Sequence, residues 1–140
     1  LDGFCGIGTI ALSLAQHVSH VVGIELYPQA VTDAKQNAAI NNIHNARFYV
    51  GSCEEVITTL NQPFDVVVLD PPRAGCKAQT IEAVVKTNAP RIIYVSCNPS
   101  TLARDLRLFA SKGYTITQVQ PVDMFPRTPH VETVVRIYRG

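Results

Sequence analysis

The chain has 140 residues, of which 46% are hydrophobic, and this is enough for the core of a single domain. No apolar run approaches the roughly 18 residues of a membrane span, and no basic segment followed by an apolar stretch marks a secretory signal. The four cysteines lie far apart and form no C-x-x-C pair, which argues against a zinc site and a disulfide framework. We therefore expect no bound metal and a reducing, cytoplasmic compartment.

The net charge of +1 is unevenly distributed along the chain. Residues 1–85 carry four Lys/Arg and eight Asp/Glu, whereas residues 86–140 carry eight Lys/Arg and three Asp/Glu. An acidic half beside a basic half fits a domain that holds a small cofactor at one end and a polyanion at the other. A solvated surface with chance asymmetry explains the same counts about equally well.

Strand-like and helix-like stretches alternate along the chain, which predicts an α/β domain with a mostly parallel sheet. The predicted strands are His20–Leu26, Ala46–Val50, Phe64–Leu69 and Arg91–Val95. The predicted helices are Thr9–Gln16, Gln29–Asn41, Glu54–Leu60, Ala78–Lys86 and Pro99–Ser111. After Gly113, a closing antiparallel pair is predicted at Tyr114–Val122 and Val131–Tyr138, joined by a proline-rich link.

The first residues, Leu1-Asp2-Gly3, resemble the end of a strand rather than a chain terminus, because a glycine-rich turn follows at once. A doubly wound sheet needs such a strand near its centre. We therefore expect the fold to be truncated at its N-terminal strand, with an upstream part absent from this sequence.

The turn Gly6-Ile7-Gly8 lies between this strand end and a helix, where glycines allow a tight turn and close approach of a ligand. Glu25 ends the next strand, where a carboxylate can accept both hydroxyl hydrogens of a ribose. The pattern Gly6-x-Gly8-x-x-Ala11 also satisfies the dinucleotide-binding fingerprint, so these residues are compatible with either a methyltransferase or a dehydrogenase. Asp2 favours the first, because a carboxylate there suits the ammonium of a methionine moiety and repels a pyrophosphate.

Two later loops carry candidate reactive groups. Asp70-Pro71-Pro72-Arg73 follows a buried strand, and the prolines fix the Asp70 carboxylate at the edge where ligands bind. Cys97 precedes the helix cap Asn98-Pro99, a position that stabilises a thiolate. A capping aspartate and a packed structural cysteine are the plainer interpretations.

Glu132 begins the last strand, close after His130. A lone glutamate at a strand start is usually solvated, so neither residue is by itself a strong candidate for a catalytic base.

Four motifs together resemble the uracil-5 RNA methyltransferases, and their order and spacing match across essentially the whole chain. They are Phe4-Cys5-Gly6-Ile7-Gly8-Thr9, Asp70-Pro71-Pro72-Arg73-Ala74-Gly75, Ser96-Cys97-Asn98-Pro99 and Phe125-Pro126-x-Thr128-x-His130-x-Glu132. The segment from Ser96 to Asp105 looks most similar to bacterial members that act on large-subunit ribosomal RNA. The tRNA-modifying members are the near alternative.

The resemblance implies a Rossmann-like class I S-adenosylmethionine-dependent methyltransferase fold, with residues 1–140 as its catalytic domain. It implies methyl transfer from S-adenosylmethionine to carbon 5 of a uridine in RNA, with no DNA or membrane partner. Cys97 matches the family's covalent nucleophile, and Glu132 matches the base that removes the carbon 5 proton. The positions that match cofactor contacts or shape that site are Phe4, Gly6, Gly8, Thr9, Glu25 and Asp70. His130 and Phe125 match supporting or packing positions.

Family members carry further domains upstream, often a small β-barrel that binds RNA, and some hold an iron–sulfur cluster there. None of this lies within the 140 residues, so we expect the chain alone to bind cofactor weakly and to have little activity.

Rival interpretations use the same loops differently. A cytosine-5 RNA methyltransferase needs a Pro-Cys pair after the fourth strand, where this chain has Pro71-Pro72-Arg73. An amino-directed methyltransferase can use Asp-Pro-Pro but needs no nucleophilic cysteine. A non-catalytic RNA-binding module leaves the pairing of Cys97 with Glu132 unexplained.

Overall fold

The computed structural model describes residues 1–128 and 130–140, so Pro129 of the proline-rich link lies outside the described residues. The strands are β1 (Val21–Glu25), β2 (Ala46–Val50), β3 (Val66–Leu69), β4 (Arg91–Ser96), β5 (Tyr114–Val122) and β6 (Glu132–Arg139). The helices are α1 (Thr9–Ala15), α2 (Pro28–Ile40), α3 (Cys53–Leu60), α4 (Ala78–Lys86) and α5 (Pro99–Ser111). Every predicted element is present. The largest difference is at β3, which begins two residues later than predicted because its partner β4 begins only opposite Val66.

The N-terminal residues complete the centre of the sheet. Asp2 forms parallel bridges to Gly23 of β1 and to Val68 of β3, and so joins the β1–β2 pair to the β3-β4-β6-β5 sheet. The Leu1 carbonyl accepts a hydrogen bond of 2.7 Å from the Val68 N–H, and the Asp2 carbonyl accepts one of 2.9 Å from the Ile24 N–H. The predicted strand end at Leu1-Asp2-Gly3 is therefore confirmed.

The closing strands are antiparallel as predicted, but the last strand, β6, does not lie outside β5 at the sheet edge. β5 forms the sheet edge, and β6 returns between β4 and β5 and pairs with both. The helix α5 carries the chain from β4 past this gap, and β6 then fills it. The start of β6 consequently lies beside the end of β4.

The hydrophobic core consists of two clusters of buried residues. One packs α1 and α2 against β1 and β2, and the other packs α3, α4 and α5 against β3, β4 and β6. Right-handed crossovers place helices on opposite faces of a sheet where the direction of strand progression reverses, as it does after β2. The reversal lies at the Asp2 strand end, and in open α/β sheets ligands bind beyond the carboxyl ends of the strands at such a point.

Within the described residues, no helix has both the length and the apolar character needed to cross a membrane.

Candidate active site

Three predicted site residues converge on one edge of the sheet. Asp70 follows β3, and Cys97 follows β4, the parallel neighbour of β3. β6 runs antiparallel to β4 and pairs Thr133 with Ser96, so the register continued by one residue sets Glu132 opposite Cys97. The sheet therefore brings together a thiol and two carboxyl groups that are widely separated in the sequence.

The Asp70 carboxylate acts on Glu132 across this edge. Burial raises the pKa of Glu132, and the neighbouring Asp70 raises it further. Burial also raises the pKa of Asp70. A glutamate with a raised pKa is a stronger base than an ordinary exposed glutamate, which suits a role in proton transfer.

Cys97 is held at the start of α5. Asn98 is the N-cap, its Oδ1 accepts a hydrogen bond of 3.0 Å from the Ser100 N–H, and Pro99 opens the helix, as predicted. The Asn98 Nδ2 also donates to the Arg73 carbonyl at 3.2 Å, which attaches the helix start to the loop after β3. The helix N-terminus therefore faces the same edge as Asp70.

The other three cysteines are buried, whereas Cys97 is partly accessible. Burial raises the pKa of Cys5 and of Cys76 to about 12, and it also raises the pKa of Cys53. These thiols stay protonated and act as small packing residues, as the sequence predicts. Cys97 is the cysteine with access to a ligand.

The glycine turn and Glu25 form a second part of the site. Gly6 and Gly8 have φ values of 52° and 90°, in the region that favours glycine, and a Cβ at Gly8 would lie 3.2 Å from both Leu12 and Phe48. The Glu25 Oε2 accepts a hydrogen bond of 3.0 Å from the Gly6 N–H, and its Oε1 accepts one of 3.0 Å from the Tyr27 N–H. Each oxygen keeps a lone pair, so the carboxylate is oriented and can accept further hydrogen bonds.

Phe4 and Thr9 flank this turn, as their motif requires. Phe4 is half-buried against the larger hydrophobic cluster, and Thr9 is exposed at the first position of α1. Both lie at the carboxyl edge of the sheet.

Asp2 is fully buried, and neither side-chain oxygen finds a hydrogen-bond partner among the described residues. Burial raises its pKa to about 6 and Asp70 contributes in the same direction, while the amino terminus and the nearby backbone N–H groups of Ala11 and Phe4, which do not reach hydrogen-bond geometry, lower it. A buried carboxylate without a hydrogen-bond partner is costly, and a cationic ligand would compensate it. From the sequence, Asp2 only favours a methyltransferase over a dehydrogenase and is not among the predicted site residues. Its position just before the glycine turn is the sequence signal that could have placed it there.

Two contacts connect described residues of the proline-rich link with the residue before β6. The Phe125 and His130 rings make an edge-to-face contact with centroids 6.3 Å apart, and the His130 N–H donates to the Thr128 Oγ1 at 3.3 Å. Among residues 1–128 and 130–140, no three His, Cys, Asp or Glu side chains cluster closely enough to hold a metal ion.

A central strand end with a glycine turn, an acid after the next strand, and a reversal of strand order beside them define a Rossmann-like α/β domain. Solved structures of low identity share this fold, among them an rRNA methylase from Streptococcus thermophilus (TM-score 0.78, 15% identity, covering 99% of this chain and 84% of that one). The sequence model of the tRNA (uracil-5-)-methyltransferase family matches residues 1–139, and the chain belongs to this family.

The relatives that the chain matches are longer proteins. It is 51% identical over 140 residues to an uncharacterized RNA methyltransferase of Oceanobacillus iheyensis, covering 98% of this chain and 30% of that protein. It also resembles the structure of the Pyrococcus abyssi tRNA (uracil-54, C5)-methyltransferase in complex with S-adenosyl-L-homocysteine. The TM-score is 0.87 at 38% identity, covering 97% of this chain and 33% of that one. The chain thus spans about 30% of the length of the curated relatives that it matches.

Proposed function

We propose that the protein transfers a methyl group from S-adenosylmethionine to carbon 5 of a uridine in RNA. The observation that carries this proposal is the convergence of Cys97, Glu132 and Asp70 at one sheet edge, beside the glycine turn. A methyltransferase that acts on an amino group needs no thiol at this position.

The residues at the turn fit the cofactor. Asp2 presents a buried, unpartnered carboxylate that suits the ammonium group of the methionine part. Glu25 presents an oriented carboxylate with free lone pairs, which suits the two ribose hydroxyls. We assign Phe4, Gly6, Gly8, Thr9 and Asp70 to the same site. When bound there, S-adenosylmethionine supplies an electrophilic methyl group.

Cys97 is the proposed nucleophile. Uracil carbon 5 is too weakly nucleophilic to take a methyl group unaided. The Cys97 thiolate adds to carbon 6, a carbon–sulfur bond forms, and the electron pair of the 5,6 double bond moves through carbon 5 toward the carbon 4 carbonyl as an enolate. Carbon 5 then becomes the nucleophile that accepts the methyl group.

Glu132 is the proposed base for release. After methylation, carbon 5 carries both the new methyl group and its original hydrogen. The Glu132 carboxylate removes this proton, the 5,6 double bond re-forms, and the carbon–sulfur bond breaks to return the Cys97 thiolate. Its position opposite Cys97 in the β4–β6 register fits a base that acts on the carbon adjacent to the adduct.

Two substrates follow from different observations. The segment from Ser96 to Asp105 resembles members that act on large-subunit ribosomal RNA, and this RNA is our first choice. The Pyrococcus abyssi tRNA (uracil-54, C5)-methyltransferase, at 38% identity, favours tRNA as the second.

The test uses the complete gene product with S-adenosylmethionine and RNA that contains 5-fluorouridine. Fluorine cannot leave as a proton does, so the carbon 6 adduct is trapped. We expect a denaturation-resistant protein–RNA band that is abolished in Cys97→Ala, while cofactor affinity stays within about twofold, since Cys97 is assigned only to the uracil.

The matched control is Cys53→Ala, a change at a buried cysteine, which should retain the band. Parallel reactions on ribosomal RNA and tRNA decide the substrate. Normal methyl transfer by Cys97→Ala would contradict the covalent mechanism and favour an amino-directed methyltransferase.

A further inference from the structure

A buried charge lies on the inner face of α5. Its inward positions are Leu102, Asp105 and Phe109, and the Asp105 residue is only 2% exposed. An aspartate within an apolar helix stripe is costly unless hydrogen bonds and an opposite charge compensate it. The proposed methylation chemistry gives this residue no role.

Four contacts compensate the carboxylate. The Asp105 Oδ2 accepts a hydrogen bond of 2.8 Å from the Cys76 N–H and another from the Tyr94 hydroxyl. The Oδ1 accepts from the Arg104 Nε at 2.8 Å, and the Arg104 Nη2 lies at the same distance. One carboxylate thus joins β4, α5 and the end of the loop that begins at Asp70.

Arg104 extends this contact into the loop. Its Nη2 donates to the Ala74 carbonyl at 2.9 Å and to the Cys76 carbonyl at 3.1 Å. The first turn of α5 holds a third carbonyl, because Thr101 Oγ1 donates to the Arg73 carbonyl at 3.1 Å. Three loop carbonyls are therefore bound by one helix.

Gly75 permits this close approach. Its φ is 75°, and a Cβ would lie 2.5 Å from the Asp105 Oδ2 and 2.6 Å from the Arg104 Nη2. The backbone thus passes against the ion pair where no other residue fits.

The contacts of Asp105 and Arg104 with residues 74–76, which we call the clamp, join two segments whose relative position the reaction requires. One end of the loop presents Asp70, and the helix held by the same contacts begins two residues after Cys97. We propose that Asp105 is a positioning residue: its carboxylate fixes Arg104 and the Cys76 amide, and thereby sets the Asp70 loop against the helix behind Cys97. This inference rests on the proposed function.

A displaced loop affects the chemistry more than the cofactor. Asp2 and Glu25 are placed by the central strands and the glycine turn, outside the clamp. A misplacement of about 1 Å between reacting groups costs roughly 100-fold in rate. We therefore expect Asp105→Asn to slow adduct formation by about 100-fold, while the cofactor dissociation constant, to which Asp70 is one of several assigned contributors, changes by less than about tenfold.

The experiment compares the complete gene product with three variants at a temperature where circular dichroism shows each to be folded. Asp105→Asn removes the charge, and Arg104→Lys keeps a charge but loses the planar fork that holds two carbonyls. Thr80→Val is the matched control, because it removes the hydroxyl of a buried residue whose part-buried hydrogen bond of 2.8 Å to Glu54 does not involve Asp105 or Arg104.

Two readouts are taken. One is the single-turnover rate of 5-fluorouridine adduct formation, together with cofactor affinity. The other is amide hydrogen exchange, which should increase in residues 70–76 and at the start of α5 in Asp105→Asn and Arg104→Lys, but not in Thr80→Val.

The outcomes separate the two proposals. Unchanged exchange in the loop overturns the clamp, and faster exchange with a parental adduct rate overturns the positioning role. A parent that forms no adduct overturns the proposed reaction, and the positioning role with it. If Asp105→Asn does not fold, Arg104→Lys gives the same decision, since the Arg104 side chain is 56% exposed and its replacement by lysine keeps a positive charge beside Asp105.

Discussion

The glycine turn and the Cys97 pocket lie on the same sheet edge but are built differently. At the turn, residues within the first 27 positions hold one another, as Gly6 and Tyr27 hold the Glu25 carboxylate. At the pocket, Asp70, Cys97 and Glu132 lie at or just beyond the ends of three strands, and strand pairing together with the contacts between the Asp70 loop and α5 brings them together.

The two regions also differ in their electrostatics. The turn contains a fully buried carboxylate without a partner, Asp2, which a cationic ligand can satisfy. The pocket contains two carboxyl groups whose pKa values are raised, Glu132 and Asp70, which suits proton transfer. In the proposed reaction the turn binds the cofactor, whereas Cys97 and Glu132 act on the uracil, so variants should separate affinity from rate.

The largest expected effect is at the pocket. Glu132→Gln should lower turnover by roughly 100- to 10,000-fold, because the general base for the carbon 5 proton is lost. Adduct formation and methyl transfer should persist, so a covalent protein–RNA species should accumulate with ordinary uridine RNA. Denaturing electrophoresis measures this species.

The control is Glu82→Gln, a change at an exposed carboxylate on α4, which should turn over normally. If Glu132→Gln also lacks the adduct, the glutamate acts before methylation, and its assignment as the releasing base is wrong.

An intermediate effect is expected at the turn. Asp2→Asn should weaken S-adenosylmethionine binding by about 10- to 100-fold, because a charged hydrogen-bond partner of the ammonium is lost. The maximal rate should change little. Isothermal titration calorimetry on the complete gene product measures the affinity, and Asp123→Asn serves as the exposed control.

The same variant should be more stable at neutral and alkaline pH. Burial raises the pKa of Asp2 from 3.8 to about 6, so the folded state favours the protonated form. The stabilisation from that proton is complete below 3.8 and is lost as pH rises through about 6, at a cost of roughly 3 kcal/mol. Without cofactor, the gain in Tm should therefore grow from acidic to alkaline pH. An equal Tm difference across this range would contradict the assignment.

The smallest effect concerns the pH profile of turnover. Since burial and Asp70 both raise the pKa of Glu132, the acid limb of kcat should lie above the ordinary glutamate value of 4.5. Asp70→Asn removes one cause, so at saturating cofactor the limb should move to lower pH. A limb that stays in place would show that Glu132 is not the group that titrates.

Local patterns predicted the elements well, because their signals are short-range. The Asn98-Pro99 cap and the run Val66–Leu69 specify a helix start and a buried strand from a few neighbouring residues. The strand end at Leu1-Asp2 was likewise predictable from the turn that follows it.

The sequence by itself determined the order of elements, the glycine turn with its acid, and, through resemblance, the family. Only the tertiary structure decided that β6 inserts between β4 and β5, which sets Glu132 opposite Cys97. It also decided that Asp2 is buried without a partner and that Asp105 is clamped by Arg104. Burial and strand pairing depend on contacts between residues far apart in the chain, and no local pattern encodes them.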